Sequence, residues 1–182
     1  MTRRAVLVQL LQVHVSTDER EEADRCAMVR FAHELGDPLS RHEREAHFTA
    51  SAFVVDDSGE RTCLVQHVKL GRLLQPGGHV EPFDLSLESA ALREAREETA
   101  LDVELHPTAP RPFDVDIHEI PERPGEPAHF HLDVRYLLVG RGEPCDGAAW
   151  YRIGEAGDES VGRLAEKALS FGSPPAGGAR AG

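Results

Sequence analysis

Residues 77 to 101 read G-G-H-V-E-P-F-D-L-S-L-E-S-A-A-L-R-E-A-R-E-E-T-A-L, a double glycine followed by a carboxylate-rich stretch. Ser86 is a good N-cap for a helix beginning at Leu87, and Ser89 three residues later supplies half of a capping box. Leu87, Ala90, Ala91, Leu92 and Ala95 recur at helical spacing, with no β-branched residue before Thr99. On that helix Glu94, Glu97 and Glu98 stand at i, i+3 and i+4 and share a face. Like charges so placed repel by roughly 0.2–0.5 kcal/mol per pair. A solvated face tolerates this and is the ordinary explanation of an arbitrary E-x-x-E-E. Beside a glycine turn, the same carboxylates offer oxygen ligands to a hard cation such as Mg²⁺, which takes carboxylates together with waters and substrate phosphates. Arg93, one turn before Glu97, is positioned to orient that carboxylate and relieve part of the repulsion.

The segment resembles the signature of the Nudix hydrolases, G-x5-E-x7-R-E-U-x-E-E-x-G-U with U a bulky aliphatic residue. R-E-A-R-E-E-T-A-L, from Arg93 to Leu101, matches at R-E, at E-E and at the final aliphatic residue; L-L-Q-P-G-G-H-V-E-P resembles the strand and turn that enter the box. There are three departures. Ala95 is smaller than the usual aliphatic residue. Ala100 replaces the closing glycine and predicts a helix end without the easy left-handed cap. One extra residue lies between Gly78 and Arg93, with Asp84 where the first glutamate falls when counted from Gly78.

The resemblance implies an α/β/α sandwich with a mixed sheet and Mg²⁺- or Mn²⁺-dependent hydrolysis of a nucleoside diphosphate linked to another group. By position it implies metal ligation by Glu94, Glu97, Glu98 and the backbone carbonyl of Gly77, with Arg93 orienting the acids. Glu94 or Glu97 would accept the proton of the attacking water. In this family the base also comes from a later loop, which brings in Glu119, Glu122 and Glu126, otherwise ordinary surface acids. His79 and Glu81, on alternate positions leaving the glycine turn, would line the phosphate site. The chemistry is consistent: a cation bridging phosphate oxygens neutralises developing charge and acidifies the attacking water.

The N-terminal part carries no comparable signal. Residues 3 to 15 read as a short helix with Leu7, Leu10 and Leu11 on one face, although their β-branched content also permits a strand. Ser16 and Glu19 pair as a capping box for a second helix running to about Leu35, with Met28, Phe31, Ala32 and Leu35 as its stripe. Residues 1–44 are therefore expected to form a helical extension that packs on a catalytic domain at 45–170 or makes a homodimer contact. Arg3 and Arg4 precede an apolar run, but Gln9, Gln12 and His14 break it, no small-residue cleavage site follows, and it is too short to cross a membrane.

From His47 the period changes to that of strands, 47–56 and 61–68 flanking the turn D-D-S-G, with a loop expected at 69–74. Further strands are expected at 101–105 and 113–120, and P-E-R-P-G-E-P at 121–127 reads as a specificity loop. In H-F-H-L-D-V-R-Y, Phe130, Leu132, Val134 and Tyr136 alternate with His129, His131, Asp133 and Arg135. The first set reads as core and the second as either a solvated edge or, preferred here, a substrate-binding wall. His118, His129 and His131 also offer a zinc arrangement, but no fourth ligand is evident and the glutamates explain a metal better. A last strand at Trp150–Ile153 and a helix at 158–169 precede a Gly-, Pro- and Ala-rich tail, 171–182, expected to be disordered.

Composition narrows the partners. A formal charge of −12, from 32 acids against 20 bases, argues against nucleic acid as a partner. A small phosphorylated substrate remains acceptable because a metal neutralises it locally. Cys26, Cys63 and Cys145 lie far apart without a C-x-x-C, so a reducing, cytoplasmic setting is expected. A non-catalytic nucleotide-binding or protein-interaction module on the same fold would more readily have lost one of the three glutamates, and a diphosphate isomerase would need a reactive cysteine.

Overall fold

A computed structural model describes residues 2–68 and 71–172. In chain order these form α1 (Arg3–Val13), α2 (Glu19–Glu34), β1 (Ala46–Val55), β2 (Arg61–His67), β3 (Arg72–Leu74), β4 (Gly77–His79), α3 (Leu87–Thr99), β5 (Asp102–Leu105), β6 (Asp114–Ile120), β7 (His129–Arg141), β8 (Ala148–Arg152) and α4 (Glu159–Gly172). The strands make one mixed sheet of order β3-β2-β1-β7-β5, with β4 added on β1, β6 on β7 and β8 on β2. Its centre is the parallel pair β1 and β7, in register from Ala46↔Phe130 to Val55↔Val139. The sheet lies between helices, as expected for an α/β sandwich.

The pleat of these two strands divides the core. Ala46, Phe48, Ala50, Ala52 and Val54 of β1 and Leu132, Val134, Tyr136 and Leu138 of β7 face α1, α2 and α3, burying Leu7, Leu11, Met28, Ala32, Leu87, Ala90, Ala91 and Ala95. Phe53, Val55 and Leu137 face the other way, onto Val161, Leu164 and Ala165 of α4. Both faces of the sheet are thus covered, which is why every residue of β1 is buried. Leu169, near the end of α4, is 51% exposed. The helix continues through Gly172; the expectation of a disordered tail otherwise lies outside the described residues.

Between the apolar part of the α4-facing layer and its far end sits a buried ionic cluster. Arg135, 1% exposed, bonds Asp133 (2.9 Å), Asp116 (2.8 Å) and Asp114 (3.3 Å). Asp133 also accepts from Thr49 (2.9 Å) and Ser51 (2.6 Å) on β1. From α4, Arg163 reaches Asp114 at 2.9 Å and Asp116 at 3.0 Å, while Lys167 bridges Asp114 (3.1 Å) to Glu21 of α2 (2.6 Å). His14 closes the chain of contacts by placing Nε2 2.7 Å from Glu21. These contacts tie α2 and α4 to the sheet.

Burial opposes ionisation of Glu21 and Asp116, yet hydrogen bonds from His14 and Lys167 to the first, and from His118 with the charges of Arg135 and Arg163 to the second, hold both below the usual carboxylate range. A lowered folded pKa gives stability that is present above the unfolded value of about 4 and lost as pH falls through the folded value. Acid titration followed by circular dichroism should accordingly show unfolding that begins below about pH 4.

The N-terminal helices form a hairpin on the sheet. Arg4 donates to the carbonyls of Ala32, His33, Leu35 and Gly36 at 2.6–3.1 Å, satisfying the C-terminal end of α2. The N-cap of α2 is Asp18, whose Oδ1 accepts from Glu21 N at 2.8 Å; Ser16 instead donates to the Glu22 carboxylate. Asp wins because it lies directly at the boundary and still reaches the third amide of the helix.

Both ends of α3 are better built than the sequence promises. Ser86 and Ser89 complete a reciprocal capping box, the Ser89 hydroxyl accepting from Ser86 N at 2.9 Å. Ala100 does adopt the left-handed cap, with φ 58° and its N–H bonded to the Arg96 carbonyl at 2.9 Å. A Cβ in that region costs about 1 kcal/mol, partly offset by the lower unfolded-state entropy of alanine. Ala100→Gly should raise stability by about 0.5 kcal/mol, read as a higher urea midpoint at unchanged slope.

Candidate active site

Arg93 organises the site. Leaving α3 toward the glycine turn, it makes a two-pronged contact with Asp84 (Nε to Oδ1 3.1 Å, Nη2 to Oδ2 2.8 Å) and donates to Glu94 (2.7 Å), Glu97 (3.1 Å) and the His79 carbonyl (3.0 Å). Asp84, 6% exposed, also accepts from Glu81 N at 2.8 Å. It is therefore the arginine's acidic partner in the entrance to the box, despite the extra residue and the shorter side chain. Phe83 and Leu85, on either side of the buried aspartate, are 68% and 93% exposed.

Glycine is needed where β4 meets α3. A Cβ on Gly78 would lie 2.6–2.9 Å from the Glu94 carboxylate, and one on Gly77 would meet the backbone of Ser51 on the paired strand β1. Glu98 approaches the same turn by accepting from Gly77 N at 3.0 Å. Gly78→Ala should therefore displace Glu94 and lower kcat about 10-fold or more at a stability cost of about 1–3 kcal/mol, measured by turnover beside thermal unfolding.

The three glutamates differ in setting. The Glu97 side chain is 59% exposed and that of Glu94 15%. Burial raises the pKa of Glu94, with repulsion from Glu97 adding to it and Arg93 opposing; burial raises that of Glu98, reinforced by Glu94 and Glu97. Glu98 makes no ion pair among the described residues, so partly desolvated carboxylates here exceed the positive charge Arg93 supplies. Crowded, hard oxygen donors short of a cation fit a divalent ion of the Mg²⁺ type.

The remaining expected site residues separate into groups. The Glu81 backbone is tied to Asp84. His79 turns its side chain to the opposite side of the sheet from Glu94, as alternation after Gly78 requires. There it meets His47, His129 and His131, with ring centroids 4.9–5.3 Å apart in each adjoining pair. Asp133 and Arg135 do not line an open wall, because they are buried in the ionic cluster; nor is Phe130 core, at 40% exposure. Alternation identifies which residues share a face but not what covers it. His47 was missed for the same reason: it reads as the first residue of an apolar strand, and only the register His47↔His131 brings it to the other histidines.

Cys63 is buried and its thiol pushed up to about 12 by that burial, which leaves no reactive thiolate; the Cys145 thiol donates to the Glu98 carbonyl at 3.4 Å. No helix among the described residues is long and apolar enough to cross a membrane.

Residues 45–168 match the family model for the NUDIX domain. No curated protein matches the chain. Among solved structures it is similar to a NUDIX-family hydrolase from Clostridium perfringens, at 25% identity and TM-score 0.52, over 71% of this chain and 99% of that one. It is also similar to an Ap4A hydrolase from C. elegans, at 17% identity and TM-score 0.49, over 68% of this chain and 96% of that one. A third is an ADP-ribose pyrophosphatase from Streptococcus suis, at 17% identity and TM-score 0.45, over 71% of this chain and 93% of that one. With the family model covering the sheet, the glycine turn and the Arg93-centred helix alike, the chain belongs to the Nudix family and is a Nudix-type pyrophosphohydrolase.

Proposed function

We propose that the enzyme hydrolyses the diphosphate linkage of a nucleoside diphosphate joined to another group, using Mg²⁺ or Mn²⁺ held by Glu94, Glu97, Glu98 and the Gly77 carbonyl. The observation that carries this reading is the Arg93 hub, which fixes Asp84, Glu94, Glu97 and the His79 carbonyl against the glycine turn. When bound, the cation supplies charge neutralisation at phosphate oxygens and acidification of water. The protein does the rest. Arg93 holds Glu94 and Glu97 in place before substrate arrives, so no ordering is left for the reaction itself. Glu97, the most solvent-open of the three carboxylates on that guanidinium, accepts the proton of the attacking water. Residues 45–170 form the catalytic domain, with 1–44 as its helical extension.

The substrate class is tested with nucleoside triphosphates, dinucleoside polyphosphates and nucleotide sugars, each with Mg²⁺ or Mn²⁺. Metal-dependent release of a mononucleotide or phosphate from at least one class is expected. No turnover on any of them with either metal would overturn the reading.

A further inference from the structure

His47, His79 and His131 come from three different strands, and their ligand nitrogens all lie within 4.8 Å of one another. We propose that these three imidazoles form a second metal site, for a borderline divalent cation of the Zn²⁺ class, on the face of the sheet opposite the glutamates. It stands on its own residues and does not depend on the reading of the glutamate site.

The strongest observation is His47. It is 2% exposed, its Nδ1 faces the Glu43 carbonyl at 3.3 Å, and its Nε2 has no hydrogen-bond partner. A ring that donates through Nδ1 to a backbone carbonyl presents a lone pair on Nε2, which is the usual arrangement of a metal-binding histidine and its outer partner. A buried polar nitrogen without a partner calls for an explanation, and the neighbouring rings of His79 and His131, 5.0 and 4.9 Å away by centroid, indicate where one would sit.

His129 repeats the pattern beside them, with Nδ1 2.9 Å from the Pro127 carbonyl and a buried, unpartnered Nε2 3.9 Å from Glu126. His129 and Glu126 lie beside the three-histidine set and are not members of it.

Ligand type selects the metal. Three neutral nitrogens suit Zn²⁺, Cu²⁺, Ni²⁺ or Fe²⁺, whereas Mg²⁺ and Mn²⁺ prefer the oxygens of the glutamate face. Zn–N bonds of about 2.1 Å put tetrahedral nitrogens about 3.4 Å apart, so the rings must close by about an ångström. Of the three, His79 and His131 are the partly exposed ones. The two sites are mechanically joined, since the His79 carbonyl is held by Arg93 while its ring belongs to the histidine set.

The test uses the full chain, stripped with a chelator and titrated with Co²⁺ followed by absorption in the visible. Imidazole-bound Co²⁺ of low coordination number absorbs far more strongly than oxygen-bound octahedral Co²⁺. One equivalent of the strongly absorbing form is expected, displaced by Zn²⁺ and not by a large excess of Mg²⁺. His79→Gln and His131→Gln should each weaken Co²⁺ binding by more than about 100-fold, beyond what loss of an outer partner does. The band should persist in the double variant Glu97→Gln, Glu98→Gln, which separates this site from the box. Because the His47 side chain is buried, these two less buried histidines carry the test, with circular dichroism to verify folding. Absence of the band in the folded parent protein, its displacement by Mg²⁺, or its persistence in both histidine variants would overturn the proposal.

Discussion

Glu97→Gln should lower kcat by about 10³-fold while leaving the fold intact. The Glu97 side chain is more than half exposed and makes a 3.1 Å contact with Arg93, so the amide substitution removes little packing and one surface-type ion pair. Stability should therefore change by less than about 1 kcal/mol, whereas both proposed contributions of Glu97, a metal oxygen and a proton acceptor, require the carboxylate. The measurement is turnover on whichever substrate the panel identifies, at saturating metal, beside the urea midpoint. A variant that keeps kcat within about tenfold of the parent would remove Glu97 from the chemistry and move the base to Glu94 or to the acids Glu119, Glu122 and Glu126.

The largest stability effect is expected at Arg135. Its guanidinium is enclosed by Asp114, Asp116 and Asp133, all at 3% exposure or less. Replacement by methionine keeps much of the length and removes the charge, leaving Asp114 with Arg163 and Lys167, Asp116 with Arg20, Arg163 and His118, and the buried Asp133 with the hydroxyls of Thr49 and Ser51. Breaking a buried ion pair from one side typically costs about 3–5 kcal/mol, a large share of the stability of a domain this size.

The pH dependence has a definite sign. Burial already raises the pKa of Asp114 against the pull of Arg135, so removing the arginine raises it further. A folded state that binds a proton more tightly than the unfolded state gains relative stability as pH falls. The deficit of Arg135→Met should consequently be largest at neutral pH and narrow on mild acidification, as read by urea unfolding at several pH values. A loss below about 1 kcal/mol at neutral pH would mean that water, not Arg135, satisfies those acids.

How much of this was legible in the sequence depends on the range of the interactions involved. The box helix was readable because its determinants are local: an N-cap serine, small and aliphatic residues at helical spacing, and carboxylates three and four apart. The same locality let Arg93 be assigned to Glu97. The partner of Arg93 across the turn was not readable, because an inserted residue breaks the count, and only the backbone path shows that Asp84 turns inward while Phe83 and Leu85 turn out.

The strand His129–Arg141 marks the opposite limit. Its alternation was visible, but a polar residue on one face has the same sequence signature whether it lines a cleft, faces water or is buried with opposite charges. The structure splits that single row into two environments, histidines at one end and the Asp133 and Arg135 network at the other, because different partners cover each part. Asp114 and Asp116 lie 19 to 53 residues from Arg135, Arg163 and Lys167, and Glu21 lies 146 from Lys167, with no local pattern joining them.

By itself, then, the sequence determined the helix that presents Glu94, Glu97 and Glu98, the double glycine it faces, and the strands that alternate, since each rests on contacts within a few residues. The tertiary structure alone decided what pairs with Arg93, which half of the polar strand is buried, and that His47 joins His79 and His131. Those outcomes depend on strand register and on what packs above the sheet, and a one-residue change of register would turn each of these side chains to the other face.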